Sequence, residues 1–119
     1  MNVSFIEHTA FSRVRDDCFG DDEGYRLFQR ALQINPRVGV VIPGCSGVRK
    51  MRWTDPKRGK GKRGGIRVLY FYSEEFAILL LLTAYDKNIE DISQDQKKSL
   101  AVIVEEFRQQ MATRRRKVS

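Results

Sequence analysis

The chain has 119 residues, of which 41% are hydrophobic and 31% charged, enough apolar side chains for one domain with a single core. This composition, with two cysteines and nine glycines, excludes a disulfide-rich scaffold, a collagen-like chain and a disordered chain. The 22 Lys and Arg against 15 Asp and Glu give a net charge of +7, which favours a polyanionic partner.

The chain carries no sign of a membrane or export segment. Its longest apolar run, residues 76–82, is far shorter than the roughly 20 residues that a membrane-spanning helix needs. Glu7 and His8 stand where the apolar core of a signal peptide would begin. We therefore expect a cytoplasmic protein without a membrane partner.

The first third of the chain predicts a short strand followed by a helical hairpin. Residues 2–6 alternate polar and apolar side chains, the pattern of a strand. Thr9 begins a helix that runs to about Cys18, and Asp21 and Asp22 begin a second one. That helix ends at Asn35, because the residue before a proline avoids the helical conformation.

The rest of the chain predicts three strands and a final helix. Residues 37–47 are rich in proline and glycine and predict a loop, whereas residues 48–54 and 66–73 alternate as strands do. Residues 76–85 fit either a buried helix or a strand, and the tight turn before them favours a strand. A capping-box pattern, Ser93-x-x-Gln96, begins the last helix.

These elements predict an α+β fold. We expect a small antiparallel sheet of about four strands, mixed at its edge, with the N-terminal helical hairpin and the C-terminal helix packed on one face. The domain should cover residues 1–112, and the basic tail, residues 113–119, should fray.

The positive charge is concentrated in the middle of the chain. Between Arg49 and Arg67 the only acid is Asp55, and a second basic run occupies residues 114–117. Such a concentration favours nucleic acid over an anionic membrane, which would need a large apolar helical face beside the bases. The nine basic residues of the central segment are Arg49, Lys50, Arg52, Lys57, Arg58, Lys60, Lys62, Arg63 and Arg67.

The strand after this basic segment combines arginine with aromatic residues. Burying Arg67 unpaired would cost several kcal/mol, so its face of the strand should open outward. Cations beside exposed aromatic rings hold unpaired RNA by phosphate contacts and base stacking. Alternation puts Phe71 on the face of Arg67 and both Tyr70 and Tyr72 on the other face, and the pattern alone does not fix which aromatic residues lie outside. A twisted sheet edge with a solvated basic loop is the alternative.

Other kinds of site are poorly matched. The glycines at 59, 61 and 64 fit the spacing of a dinucleotide-binding turn, but they lead into a strand and not into a helix. The sequence shows no zinc or calcium spacing and no carboxylate pair near the basic segment, so we expect no metal and no cofactor. RNA chemistry would then rely on Lys, Arg and Tyr, and crowding by like charges lowers the pKa of a lysine, as a general base requires.

Several runs of residues resemble one protein family. They are Asn35-Pro36, Gly39 to Gly44, Gly47 to Arg52, Gly59 to Tyr70 and Leu82 to Asn88. Together they resemble the RelE/HigB toxins of bacterial type II toxin–antitoxin systems, over roughly residues 3–107. The resemblance implies a microbial-RNase/RelE-like fold and a ribosome-dependent mRNA endonuclease. It also implies cleavage in the ribosomal A site by attack of the RNA 2′-hydroxyl without a metal, and a cognate antitoxin, HigA-like and of the helix-turn-helix type.

The resemblance also implies roles for individual residues. Lys60 and Lys62 match the loop that supplies basic catalytic groups, and Arg67 matches the strand arginine that stabilises the phosphate. Tyr70 or Tyr72 would stack on the RNA or orient the 2′-hydroxyl, and Lys87 matches a further basic group. The general base stays open among the three lysines, since the catalytic C-terminal tyrosine of some relatives has no counterpart after Phe107. The predicted catalytic residues are Lys60, Lys62, Arg67, Tyr70 and Lys87, and the predicted RNA contacts are Arg49, Lys50, Arg52, Lys57, Arg58, Arg63 and Tyr72.

Two other functions remain open at this point. A ParE-like toxin shares the fold but inhibits DNA gyrase and cleaves nothing, and the basic loop with Arg67 and Tyr70 argues against it. A non-catalytic RNA- or ribosome-binding module would need only the positive charge.

Overall fold

The N-terminal part of the chain folds as one strand and two helices. A computed structural model describes residues 2–54, 65–86 and 91–118. His8 and Asp21 are the N-caps of the two helices, and their side chains accept hydrogen bonds from the backbone amides of Ala10 and Gly24. Asn35 ends the second helix, as the following proline predicts. The elements are β1 (Ser4–Glu7), α1 (Thr9–Phe19) and α2 (Asp22–Ile34).

The strands that follow are β2 (Val40–Val41), β3 (Arg49–Trp53), β4 (Ile66–Ser73) and β5 (Ile78–Asp86). Within the described residues the sheet has five strands, in the order β1-β5-β4-β3-β2. Strand β1 runs parallel to β5 and the other pairs are antiparallel, which confirms the prediction of a sheet mixed at its edge. The additional strand is β2, two residues long, inside the segment that the sequence predicts as a loop.

The helices cover both faces of the sheet, and the expectation that they share one face is wrong. Helices α1 and α2 bury Phe11, Phe28 and Leu32 against one face, and the last helix, α3 (Gln94–Val118), buries Leu100 and Val104 against the other. The central strands are apolar on both sides for this reason. In β5, for instance, Leu79 and Leu81 belong to the first core, and Leu80 and Leu82 belong to the second.

The last helix begins with the predicted capping box. The Ser93 amide donates to Gln96 Oε1 at 2.8 Å, and the Gln96 amide donates to Ser93 Oγ at 3.2 Å. The helix continues without a break to Val118, so the tail expected to fray from Thr113 is helical. Arg115 on this last part is held by Glu75 in the turn between β4 and β5. Among the described residues, none of the helices has the length and apolar character to cross a membrane.

Candidate functional site

A cleft of about 620 Å³ opens on the α3 side of the sheet, and three cations line it. Lys50 and Arg52 come from β3 and Arg67 from β4. Side chains alternate along a strand, so the pattern that places Val48 and Leu69 against α3 places these cations on the same face. Lys50, Arg52 and Arg67 thus lie together, as the sequence predicts for RNA contacts and for the phosphate-stabilising arginine.

Strand register brings a row of functional groups across the cleft. Arg67 lies directly opposite Arg52 on one side and directly opposite Tyr85 on the other. Directly opposed residues on neighbouring strands have side chains about 5 Å apart, and like charges in such a pair destabilise a sheet. An anion seated between the two guanidinium groups would remove that repulsion.

Arg67 has a hydrogen-bond donor that is unsatisfied within the described part of the chain. Its Nη1 is buried and has no hydrogen-bond partner among the residues that the structure describes. A buried donor without a partner costs free energy, on the order of 1–3 kcal/mol. The planar guanidinium fork suits a phosphate, which offers several acceptor oxygens at once.

The other side of the cleft holds a carboxylate. Lys50 Nζ lies 3.3 and 3.2 Å from the two oxygens of Asp91, and the Ile92 amide donates to Asp91 Oδ1 at 2.9 Å. The hydrogen bond from Ile92, followed by that from Lys50, holds the pKa of Asp91 below its ordinary value. Asp91 is therefore ionised at neutral pH.

Tyr85 shares this side with Asp91. Burial, the charge of Asp91 and a hydrogen bond to Asp91 raise the pKa of Tyr85, while the charge of Arg67 opposes them. Its hydroxyl therefore keeps its proton at neutral pH and acts as a hydrogen-bond donor. Sequence reasoning missed both Tyr85 and Asp91 as site residues. The alternation along β5 could have placed Tyr85 beside Arg67, whereas Asp91 lies in a connecting segment whose local pattern predicts no contact.

Tyr70 does not line the cleft, and the prediction that it stacks on RNA or orients the 2′-hydroxyl conflicts with its position. Its side chain is fully buried in the core beneath α1 and α2. Its hydroxyl donates to the Pro36 carbonyl at 2.8 Å and accepts from the Gly39 amide at 2.8 Å. Burial raises the pKa of Tyr70. Tyr70 therefore fixes the segment that leads into β2.

Arg49 and Tyr72 also lie away from the cleft. Arg49 follows the opposite face of β3, and its Nη1 donates to the Gly39 carbonyl at 2.7 Å. Tyr72 packs at the margin of the same core as Tyr70, with the Arg37 guanidinium 5.3 Å from the centre of its ring. Neither residue is brought together with Arg67, which lies about 16 Å along the strand from Tyr72.

Six of the predicted residues lie outside the part of the chain that the structure describes: Lys57, Arg58, Lys60, Lys62, Arg63 and Lys87. The residues that flank them are described. Trp53 pairs with Ile66 at the end of the β3–β4 ladder. Lys87 is separated by one residue from Tyr85, which lines the cleft.

The cleft suits a phosphodiester better than a metal ion. Within residues 2–54, 65–86 and 91–118, no three His, Cys, Asp or Glu side chains are grouped so that they could hold a metal. The two arginines and the protonated tyrosine in this cleft can bind a phosphate and stabilise the additional negative charge of a transition state.

Comparison with known proteins identifies the fold. No family model matches the chain. A doubly substituted variant of the E. coli toxin RelE in its free state is similar, with a TM-score of 0.52 and 15% identity, over 86% of this chain and 96% of that chain. The intact E. coli RelBE toxin–antitoxin complex gives a TM-score of 0.50 and 11% identity, over 73% of this chain and 99% of that chain. The five-stranded mixed sheet with its three helices therefore has the fold of the RelE-type toxins.

Proposed function

We propose that this protein is the toxin of a toxin–antitoxin pair and acts as a ribosome-dependent mRNA endonuclease in the cytoplasm. The observation that carries the proposal is the row formed by Arg52, Arg67 and Tyr85 across three neighbouring strands, with a buried Arg67 nitrogen that lacks a partner among the described residues. The RelE-type fold and the resemblance of the central segment to RelE/HigB toxins support the same reading.

The proposed reaction needs only the RNA and the protein's side chains. The 2′-oxygen attacks the adjacent phosphorus, the bond to the 5′-oxygen breaks, and the products are a 2′,3′-cyclic phosphate and a 5′-hydroxyl. A general base takes the proton of the 2′-hydroxyl and a proton is delivered to the leaving 5′-oxygen. Lys60, Lys62 and Lys87 remain the candidates for these proton transfers, and they are predictions from the sequence alone.

The cleft residues have distinct parts in this proposal. Arg67 and Arg52 hold the phosphate and stabilise the charge that develops on its oxygens. Tyr85 is a hydrogen-bond donor and a poor base, since its pKa is raised. The ring of Tyr85 also offers a surface against which a base or sugar can pack.

The proposed partners are the ribosome, its mRNA and a cognate antitoxin. One of the similar structures is a toxin–antitoxin complex, which supports an antitoxin for this chain as well. We propose a HigA-like helix-turn-helix antitoxin, which would act mainly by making the small toxin too bulky to enter the ribosome.

The direct test is primer extension on an mRNA translated in the presence of the purified protein. Breaks spaced by codons are expected with wild type, and Arg67→Met should reduce their rate by about 100-fold, the scale of losing one transition-state charge donor. Arg30→Met, on the exposed surface of α2, is the matched control and should cleave as wild type does. Intact mRNA with the folded wild-type protein would refute the proposal, and trapped gyrase–DNA complexes would then indicate the ParE-like activity.

A further inference from the structure

The cleft has two chemically different walls. We call the directly opposed pair Arg52 and Arg67 the arginine wall, and Asp91 together with Lys50 and Tyr85 the carboxylate wall. All five residues line the same cleft, but only the arginine wall presents positive charge without a counter-ion among the described residues.

The charge of Lys50 is already matched. Its Nζ is 3.3 and 3.2 Å from the two oxygens of Asp91, so the carboxylate of Asp91 neutralises the charge of Lys50. Asp91 is itself anchored, because the Ile92 amide donates to its Oδ1 at 2.9 Å. Lys50 could bind an RNA phosphate only if its ion pair with Asp91 were broken.

The arginine wall shows the opposite condition. Arg67 Nη1 is buried without a hydrogen-bond partner among the described residues, and Arg52 lies directly opposite Arg67. A phosphate that binds beside this pair neutralises two cations and breaks none of the described hydrogen bonds, and Arg67 must shift for its buried Nη1 to donate to it.

From this asymmetry we infer that Asp91 is a positioning residue of the RNA site. Its carboxylate keeps Lys50 away from the phosphate, so that the phosphodiester binds the arginine wall and the nucleoside faces Tyr85 and Asp91. The inference rests on the proposed function and deepens it, because it assigns an orientation to the bound RNA.

The salt dependence of RNA binding reports the number of phosphate contacts and therefore tests this orientation. For single strands, the slope of log affinity against log salt changes by about 0.7 for each phosphate that a cation neutralises. The probe is a short single-stranded RNA with 2′-O-methyl groups, which cannot be cleaved, and binding is followed by fluorescence anisotropy over a range of KCl concentrations.

Four variants should give a distinctive pattern. Arg67→Met should make the slope shallower by about 0.7, whereas Lys50→Met should leave it unchanged. Asp91→Asn frees Lys50 for a phosphate and should make the slope steeper by about 0.7, and the double variant Asp91→Asn/Lys50→Met should restore the wild-type slope. Thermal unfolding of each variant confirms that the compared proteins are folded.

The results for wild type and for the variants test different claims. A wild-type protein that binds no free RNA would overturn this inference, because the cleft would then not hold a phosphodiester, whereas the proposed function is tested separately by cleavage on the ribosome. RNA binding by wild type with a shallower slope in Lys50→Met, or with an unchanged slope in Asp91→Asn, would overturn the inference about Asp91 alone.

Discussion

Replacing Tyr70 by phenylalanine separates a structural role from a catalytic one. The Tyr70 hydroxyl holds the Pro36 carbonyl and the Gly39 amide at 2.8 Å each, and its removal leaves both groups without this partner. A buried backbone group that loses its hydrogen bond costs about 1–3 kcal/mol, so we expect Tyr70→Phe to lower the free energy of unfolding by about 2 kcal/mol. A domain of this length has an unfolding entropy of about 250 cal/mol/K, and the midpoint of thermal unfolding should fall by about 8 °C.

The assay combines urea unfolding with cleavage on the ribosome, measured well below the lowered midpoint. Tyr70→Phe should cleave at the wild-type rate while it is folded, since the hydroxyl lies in the core beneath α1 and α2. Tyr72→Phe is the matched control on the same strand and should change stability by less than about 0.5 kcal/mol. A Tyr70→Phe protein that is as stable as wild type, or one that is folded and has lost cleavage, would refute this reasoning.

Three further substitutions test the packing and electrostatics of the fold. Gly39→Ala should lower stability by about 1–3 kcal/mol in urea unfolding, because the new Cβ would lie 2.8 Å from Tyr70 Cε1. Burial raises the pKa of Glu7, but hydrogen bonds from Ser12, Tyr25 and Arg15 outweigh it and leave the pKa below its ordinary value of 4.5. Glu7 therefore stabilises the fold above pH 4.5 and loses this contribution in acid. Glu7→Gln should unfold more easily than wild type at pH 7, and the two unfolding curves should converge at low pH. Ser93→Ala should cost about 1 kcal/mol in thermal unfolding by removing the cap of α3. An unaltered stability in any of these would contradict the contact concerned.

Most of the secondary structure can be predicted from local patterns in the sequence. The capping box at Ser93, the stop at Asn35 and the alternation in residues 66–73 each depend on neighbours within four positions, and the structure confirms all three. Strand β2 escaped prediction because its two residues pair with Lys50 and Arg49, about ten positions away. No local signal specifies such a short edge strand.

The two faces of the sheet explain the other errors. Strand β4 is apolar on both faces because helices cover both faces of the sheet. The alternation of its side chains therefore does not predict which of its two faces is exposed to solvent. Arg67 lines the cleft although its Nη1 is buried, and Leu69 and Phe71 on its face are covered by α3, so the expectation that this face opens outward holds only at the end of β4. Tyr70 was misplaced because the groups that satisfy its hydroxyl, at Pro36 and Gly39, lie more than thirty positions earlier in the chain.

The parallel pairing of β1 with β5 delays completion of the fold while the chain is being synthesised. Ser4 pairs with Ile78, and the cleft takes residues from β3, β4, β5 and the segment before α3. Contacts between such distant parts of the chain form slowly, since a long loop must close before they contribute. Strand β1 therefore cannot pair until β5 has been synthesised. A nascent chain that ends before Asp91 also lacks part of the cleft. If the proposed function holds, a newly made chain cannot cleave RNA during this interval, whose length is set by translation and folding.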